Sequence, residues 1–345
     1  MLLLCALVIT GSTYSQDKKS YKTKFNGANR RVLMDIDAKQ LDIEGYNGDE
    51  IIIEATDIPK VPQEADGLRP LSAGGVDNTN IGLSVYPNGD VLKINVVMKG
   101  KALYKIKMPK ELGLVVKKRN SCSCNETGMS IAGMEGSIEV NTNYEDITLT
   151  NVSGPIVANS SQGKVKVIFD DKMPDKPSSI VSYNDNIDVT VSEKAKVLFS
   201  ISASNGNMFT DLDLKPYTPD SKAIEEEKKA LEESRALSWN SKQGAAKAVT
   251  TVKAQQDAAV ATGQNVQGQA QASSPATAVT IGSGDKVIVN SPGSSYYAFS
   301  DGQASYNFNY NWDNDRNAPK YVLNDPQTKI AIRTTRGNVY LRKKK

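Results

Sequence analysis

Histidine is absent from the 345 residues, which removes the commonest general base and the commonest metal ligand together. Any catalysis would have to rest on carboxylates, Lys, Tyr or Cys. Aromatic residues are only 6% of the chain, so a broad aromatic core is excluded and a narrow interior of β-branched side chains fits better. No sign of charge dominates: 42 basic against 39 acidic residues leave +3, too even a balance for a nucleic-acid partner. Cysteine is scarce, and Cys122 and Cys124 fall two apart on an expected strand. That spacing does not suit an unstrained disulfide, no further ligands stand nearby for a metal, and both are read as small core residues. Long hydrophobic runs are missing as well. Leu2 to Ile9 is apolar but too short to cross a bilayer, so a transmembrane protein is not expected,. The stretch resembles the apolar region of a secretory signal, with Thr13 and Ser15 as small residues before a cut ahead of Gln16,. Residues 1–15 are therefore assigned to a signal peptide. The product is expected in the periplasm, on the outer surface or secreted, with a lipid anchor as the lesser alternative because Cys5 stands too early for one.

What is present is a repeat. Ile138-Val140-Thr142, a polar turn and Ile147-Leu149 return 18 residues on as Ile156-Ala158-Ser160, a turn and Val165-Val167. The pattern comes back at Ile180-Ser182 with Ile187-Val189, at Phe199-Ile201-Ala203 with Met208, and at Ile330-Ile332-Thr334 with Val339-Leu341. Period-two alternation excludes helical units, and a short unit that cannot bury its own apolar face must stack on its neighbours. The fold expected is all-β, a parallel β-solenoid (β-helix-like) with about 18 residues per coil. An early copy is read at Leu41-Ile43-Gly45 with Ile51-Ile53, and a small residue closes the first strand of each copy: Gly45, Cys124, Thr142, Ser160, Ser182, Ala203 and Thr334. A larger side chain there would collide with the next coil. Three residues later stand the turn positions, among them Gly48, Gly163, Asp185, Gly206 and Gly337, where glycine is expected to supply positive φ,.

The pattern stops at Leu214 and resumes at Tyr321. A polar helix from Asp220 to Leu237 is expected, followed by an Ala/Gln/Gly/Ser-rich stretch, 241–284, whose composition cannot offset its ordering entropy. The division is then a solenoid over 16–214, a long, partly disordered insertion over 215–320 and strands over 321–345 that complete the solenoid. The insertion ends in a Tyr/Asn-rich flap, whose Tyr296, Tyr297, Phe299, Tyr306, Tyr310 and Trp312 are the candidate binding residues,. The basic run Arg342-Lys-Lys-Lys345 is expected to protect a solenoid edge by repulsion,.

The coil Ile201-Ser-Ala203-Ser-Asn-Gly206, the lead-in Lys105-Ile106-Lys107-Met108-Pro109-Lys110 and the closing Thr334-Thr-Arg-Gly337-Asn-Val339 together resemble the "putative adhesin" family of exported bacterial β-strand-repeat proteins. The likeness covers roughly residues 30–214 and 321–345. It implies a parallel β-solenoid at the cell envelope and supplies no catalytic residues. The long insertion departs from the family's simple pattern.

No catalytic motif, cofactor site or metal site is found. Asp211-Leu-Asp213 lacks the ligand count of a calcium loop,. The alternative reading is a carbohydrate-active enzyme, a polysaccharide lyase or hydrolase, using the stacked turn residues Glu145, Asp146 and Asp185. Asp, Asn and Gly are also what turns require. The preferred reading is therefore a non-enzymatic envelope or surface scaffold, adhesin-like, whose partner is a surface glycan or another envelope protein.

Overall fold

The computed structural model describes residues 18–27, 29–98, 100, 102–118, 128–218 and 318–345, with the backbone of four short strands between 277 and 308. Alternating β-branched stretches become strands, as their period demands. The chain is all-β and builds two large mixed sheets, one of 11 and one of 10 strands. Among the described residues there is no α-helix, only the 3-10 turn Gln63–Ala65. The helix expected over 220–237, the cysteines and the stretch 241–284 apart from the backbone of Thr277–Val279 lie outside the described residues.

Most of the described residues are laid out in tiers, each giving one strand to the first sheet and the next strand to the second. The tiers are 31–46, 91–109, 113–132, 138–152, 156–169, 178–191, 197–210 and 328–343. Within each sheet these strands run parallel, and the 18-residue repeat appears as direct pairing: Ile138 stands against Ile156 and Ile147 against Val165. Beyond the polar loop 170–177 the register changes, so Ile180 faces Ala158 and Ser182 faces Ser160. Inward positions of both sheets form one apolar cluster that includes Ile138, Val140, Ile147, Leu149, Ile187 and Val189, all 1% exposed or less. Asn151, at φ 51°, accompanies a register shift between Thr150 and Val152 that brings Val152 opposite Phe169,.

Spatial order departs from chain order at both ends. Tier 31–46 lies between tiers 91–109 and 113–132, although it precedes both. At the other end tier 328–343 lies between tiers 178–191 and 197–210, which are neighbours in sequence. Antiparallel strands finish the molecule: Lys19–Lys24 on Glu50–Thr56, Glu50–Thr56 on Leu103–Pro109, Leu83–Asn88 on Val91–Val96, and Lys320–Leu323 on Val197–Ala203.

Two expectations need correcting here. Gln40–Tyr46 belongs to the second sheet, paired with Gly128–Ala132, so its partner strand within the tier is Arg31–Asp35 and not Glu50–Thr56. Gly48 therefore lies at a reversal within one sheet, between two strands that flank Leu103–Pro109. Apolar alternation looks the same in either sheet, which is why the pattern alone misplaced this copy by half a tier. The basic run also does not protect an edge. Val339–Lys343 is an interior strand of its sheet, and its cations meet acidic groups: Arg342 with Asp188, Lys343 with Glu193, Lys344 with Asp170 and Asp171.

The loop before Leu83 is held from within. Asp77 is buried, and its carboxylate accepts from the backbone N–H of Thr79, Asn80 and Gly82 and from the Thr79 hydroxyl. Tyr104 donates its hydroxyl to the Ile81 carbonyl at 2.9 Å. Burial, with Asp77 adding to it, pushes the Tyr104 phenol well above its usual range,.

Candidate functional site

The corner between the two strands of a tier is where the stacked turn residues meet. The strand-closing hydroxyls of Ser160, Ser182 and Thr334 are buried and each bridges two tiers, while that of Thr142 donates to the Glu145 carbonyl of its own tier. Ser160 Oγ accepts from Gly163 N–H at 2.9 Å and donates to the Glu145 carbonyl one tier away at 3.2 Å. Ser182 Oγ accepts from Asp185 N–H and donates to the Gly163 carbonyl. Thr334 Oγ1 accepts from Gly337 N–H and donates to the Asp185 carbonyl. The small residue at this position is thus a hydrogen-bonding group as well as a narrow one, satisfying backbone atoms that a buried corner would otherwise strand.

The glycines beside it serve proximity rather than left-handed backbone. None of Gly48, Gly163, Gly206 and Gly337 has positive φ, contrary to expectation. A Cβ on Gly163 would overlap the Glu145 carbonyl, one on Gly337 the Asp185 carbonyl and one on Gly206 the Gly337 carbonyl. A Cβ on Gly48 would instead overlap the Tyr46 ring.

The next position carries a second relay. Asp146 Oδ1 accepts Lys164 N–H at 2.8 Å, Asn186 Oδ1 accepts Asn338 N–H at 2.7 Å, and Asn338 Oδ1 accepts Asn207 N–H at 2.9 Å. Lys164 has no acceptor to offer the following tier. There the Asp185 carboxylate takes the Asn186 N–H itself, at 2.7 Å. This explains why aspartate stands at 185 where neighbouring tiers carry glycine. Glu145, Asp146 and Asp185 are therefore brought onto one corner, but Glu145 is 1% exposed and both aspartates are engaged with backbone.

The outer face of the second sheet carries a different constellation at its last two tiers. Phe209, 52% exposed, stacks on Tyr340 with centroids 5.5 Å apart and planes 14° apart. The Arg342 guanidinium lies 5.3 Å from the Tyr340 ring centre and donates to Asp188 Oδ2 at 2.9 Å. That hydrogen bond and charge hold Arg342 even more firmly protonated than usual,. Asn338 Nδ2 donates to the Tyr340 hydroxyl at 3.2 Å. Aromatic faces, a guanidinium, an amide and a carboxylate together suit contact with a polyhydroxylated or peptide ligand. A separate open polar cleft of about 420 Å³, lined by none of these residues, lies between Asp171–Asp175, Lys194–Lys196 and Gln327–Thr328.

Sequence reasoning missed Phe209 and Tyr340 because it followed the inward positions. The signal was available: aligning Met208 with Val339 puts these two outward aromatics side by side. Of the flap residues, Tyr296, Tyr310 and Trp312 lie outside the described residues. Tyr297, Phe299 and Tyr306 fall in the paired strands Tyr297–Phe299 and Tyr306–Phe308, of which the backbone alone is described. Among the described residues no three His, Cys, Asp or Glu gather as a metal cluster, and no helix is long and apolar enough to cross a membrane.

No family model and no curated protein matches the sequence. Among solved structures, a putative cell adhesion protein from Clostridium sporogenes is similar at 8% identity and a TM-score of 0.36, over 95% of this chain and 100% of that one. So distant a likeness leaves function to be argued from this chain's own geometry.

Proposed function

We propose that the protein is an exported envelope or surface scaffold of adhesin-like type, a parallel β-solenoid without catalytic activity that binds glycan or protein. The carrying observation is the use of the corner carboxylates. Asp146 accepts a backbone N–H from the next tier, Asp185 accepts one within its own turn and Glu145 is buried, so the acidic row that polysaccharide cleavage would need is engaged with backbone or withdrawn from solvent,. The parallel registers shared by successive tiers support the solenoid reading,. The exposed Phe209–Tyr340 stack supports a contact role, since aromatic faces pack on sugar rings and anchor protein interfaces at small entropic cost,. The segment 296–312 is a second contact within the same proposal, and export through the leader 1–15 belongs to it.

A glycan array run beside a polysaccharide-degradation screen tests this. Binding without turnover is the expected result, weakened about tenfold or more by Phe209→Ala with Tyr340→Ala, a loss of roughly 1.4 kcal/mol. Loss that follows only Tyr296, Tyr297 and Trp312 replacement would move the contact to the flap. Turnover abolished by Asp146→Asn or Asp185→Asn would overturn the proposal in favour of an enzyme.

A further inference from the structure

Tiers 178–191 and 197–210 are joined by the short link 192–196, yet tier 328–343 stands between them in both sheets. The link therefore steps over two strand spacings, about 10 Å, which five extended residues span easily. Its backbone is pinned by the interposed segment: Asn324 Nδ2 donates to the carbonyls of Glu193 and Ala195 at 2.9 and 2.8 Å, and Thr328 N–H to that of Lys196 at 3.0 Å. Without that segment the slot would present facing strand edges and the inward Ile180, Ile187, Val189, Phe199 and Ile201. Such edges are a template for one occupant, a strand pair carrying Ile330, Ile332, Val339 and Leu341 inward,. Charge reinforces the match. The slot's rim supplies Asp170, Asp171, Asp188 and Glu193, and the segment brings Arg342, Lys343 and Lys344 to them.

We propose that this slot also accepts segment 318–345 from a second copy of the chain, so that copies associate by exchanging their interposed tiers. The contacts made between copies are those made within one, and only the connection differs. About a hundred residues separate Thr218 from Ala318, a contour long enough to reach a neighbouring molecule,. In dilute protein a chain's own segment wins by tethering, and crowding of copies shifts the balance toward exchange. This association is independent of any ligand.

Val181 and Arg333 are Cα partners across the slot and point outward. Two full-length copies, one Val181→Cys and one Arg333→Cys, both with Cys5, Cys122 and Cys124 changed to Ser, are unfolded together, refolded at low and high concentration, and gently oxidised. The expected result is a disulfide between copies in a dimer fraction that rises roughly tenfold or more from micromolar to near-millimolar protein. Mixing the two copies already folded should give little of it. Its absence at every concentration, while a Val181→Cys/Arg333→Cys double variant closes the bond within one copy, would overturn the proposal. Equal yield from folded copies would also overturn it, as surface oxidation. A second readout needs no cysteine: two differently tagged unmodified chains, refolded together at high concentration, must co-migrate, and their failure to do so overturns the proposal too.

Discussion

Overlap with a backbone carbonyl makes the corner glycines intolerant of a side chain even though their φ values are ordinary. Gly163→Val must push Glu145 and its tier aside, whereas Gln162→Val places its side chain in solvent one residue earlier. The first should cost about 2–3 kcal/mol, a drop in Tm of roughly 4–12 °C, and the second under about 0.5 kcal/mol. Gly206→Val should fall between them, because its tier is terminal in the second sheet and can move outward. Thermal melts of the three variants check this order, and equal shifts would contradict the close-approach account. Glu139 makes a pH-dependent case. Its half-buried carboxyl is held above its usual 4.5 chiefly by burial, with Lys117, the Asn141 hydrogen bond and Arg31 pulling the other way,. The folded state therefore binds that proton more tightly than the unfolded state does. Stability from this group is complete below about pH 4.5 and falls as pH rises through the folded value. Glu139→Gln should raise Tm at pH 7 and leave it unchanged near pH 4, which melts at the two pH values measure.

Elements were legible where they repeat. Ile138, Ile147, Ile156 and Val165 announce their strands by alternation and their pairing by the 18-residue interval, because stacked tiers set sequence offset equal to spatial neighbourhood,. Alternation carries no mark of which sheet a strand joins, so Leu41 and Ile43 were assigned to the wrong half of a tier,. Nor does it carry the order of tiers. Thr334 repeats the motif of Ser182 and Ala203 alike, and only long-range pairing puts it between them. The corner was half legible. Its small residues were visible, but the hydroxyl at 160, 182 and 334 acquires a partner only when the tier beside it is in place. The outward aromatics escaped because the inward positions carry the repeat: Phe209 and Tyr340 stand one residue off that alternation, beside the aligned Met208 and Val339.

At the scale of the whole molecule, the ends of the long excursion meet. Lys215–Pro216 pairs antiparallel with Lys320–Leu323, and Tyr217 N–H donates to the Lys320 carbonyl at 2.9 Å. Both strands lie at the edge of the first sheet beside Val197–Ala203, so the chain leaves and re-enters the tier stack at one place. Where the excursion departs and returns, the chain is anchored on the apolar cluster between the sheets: Leu212 and Leu323 belong to it, and Leu214 and Tyr321 pack against it. A closure this tight can be made by a short turn, and loop-closure entropy falls when a long connection is shortened. Replacing 219–317 by a short Gly/Ser linker should therefore leave the circular dichroism spectrum β-rich and Tm within a few degrees of the full chain. The interposed tier must still dock for this to hold, since its strands pair with both tier 178–191 and tier 197–210. An unfolded or strongly destabilised deletion protein would mean that the excursion supports the stack. A protein that folds but loses glycan or protein binding while retaining Phe209 and Tyr340 would assign the contact to 296–312.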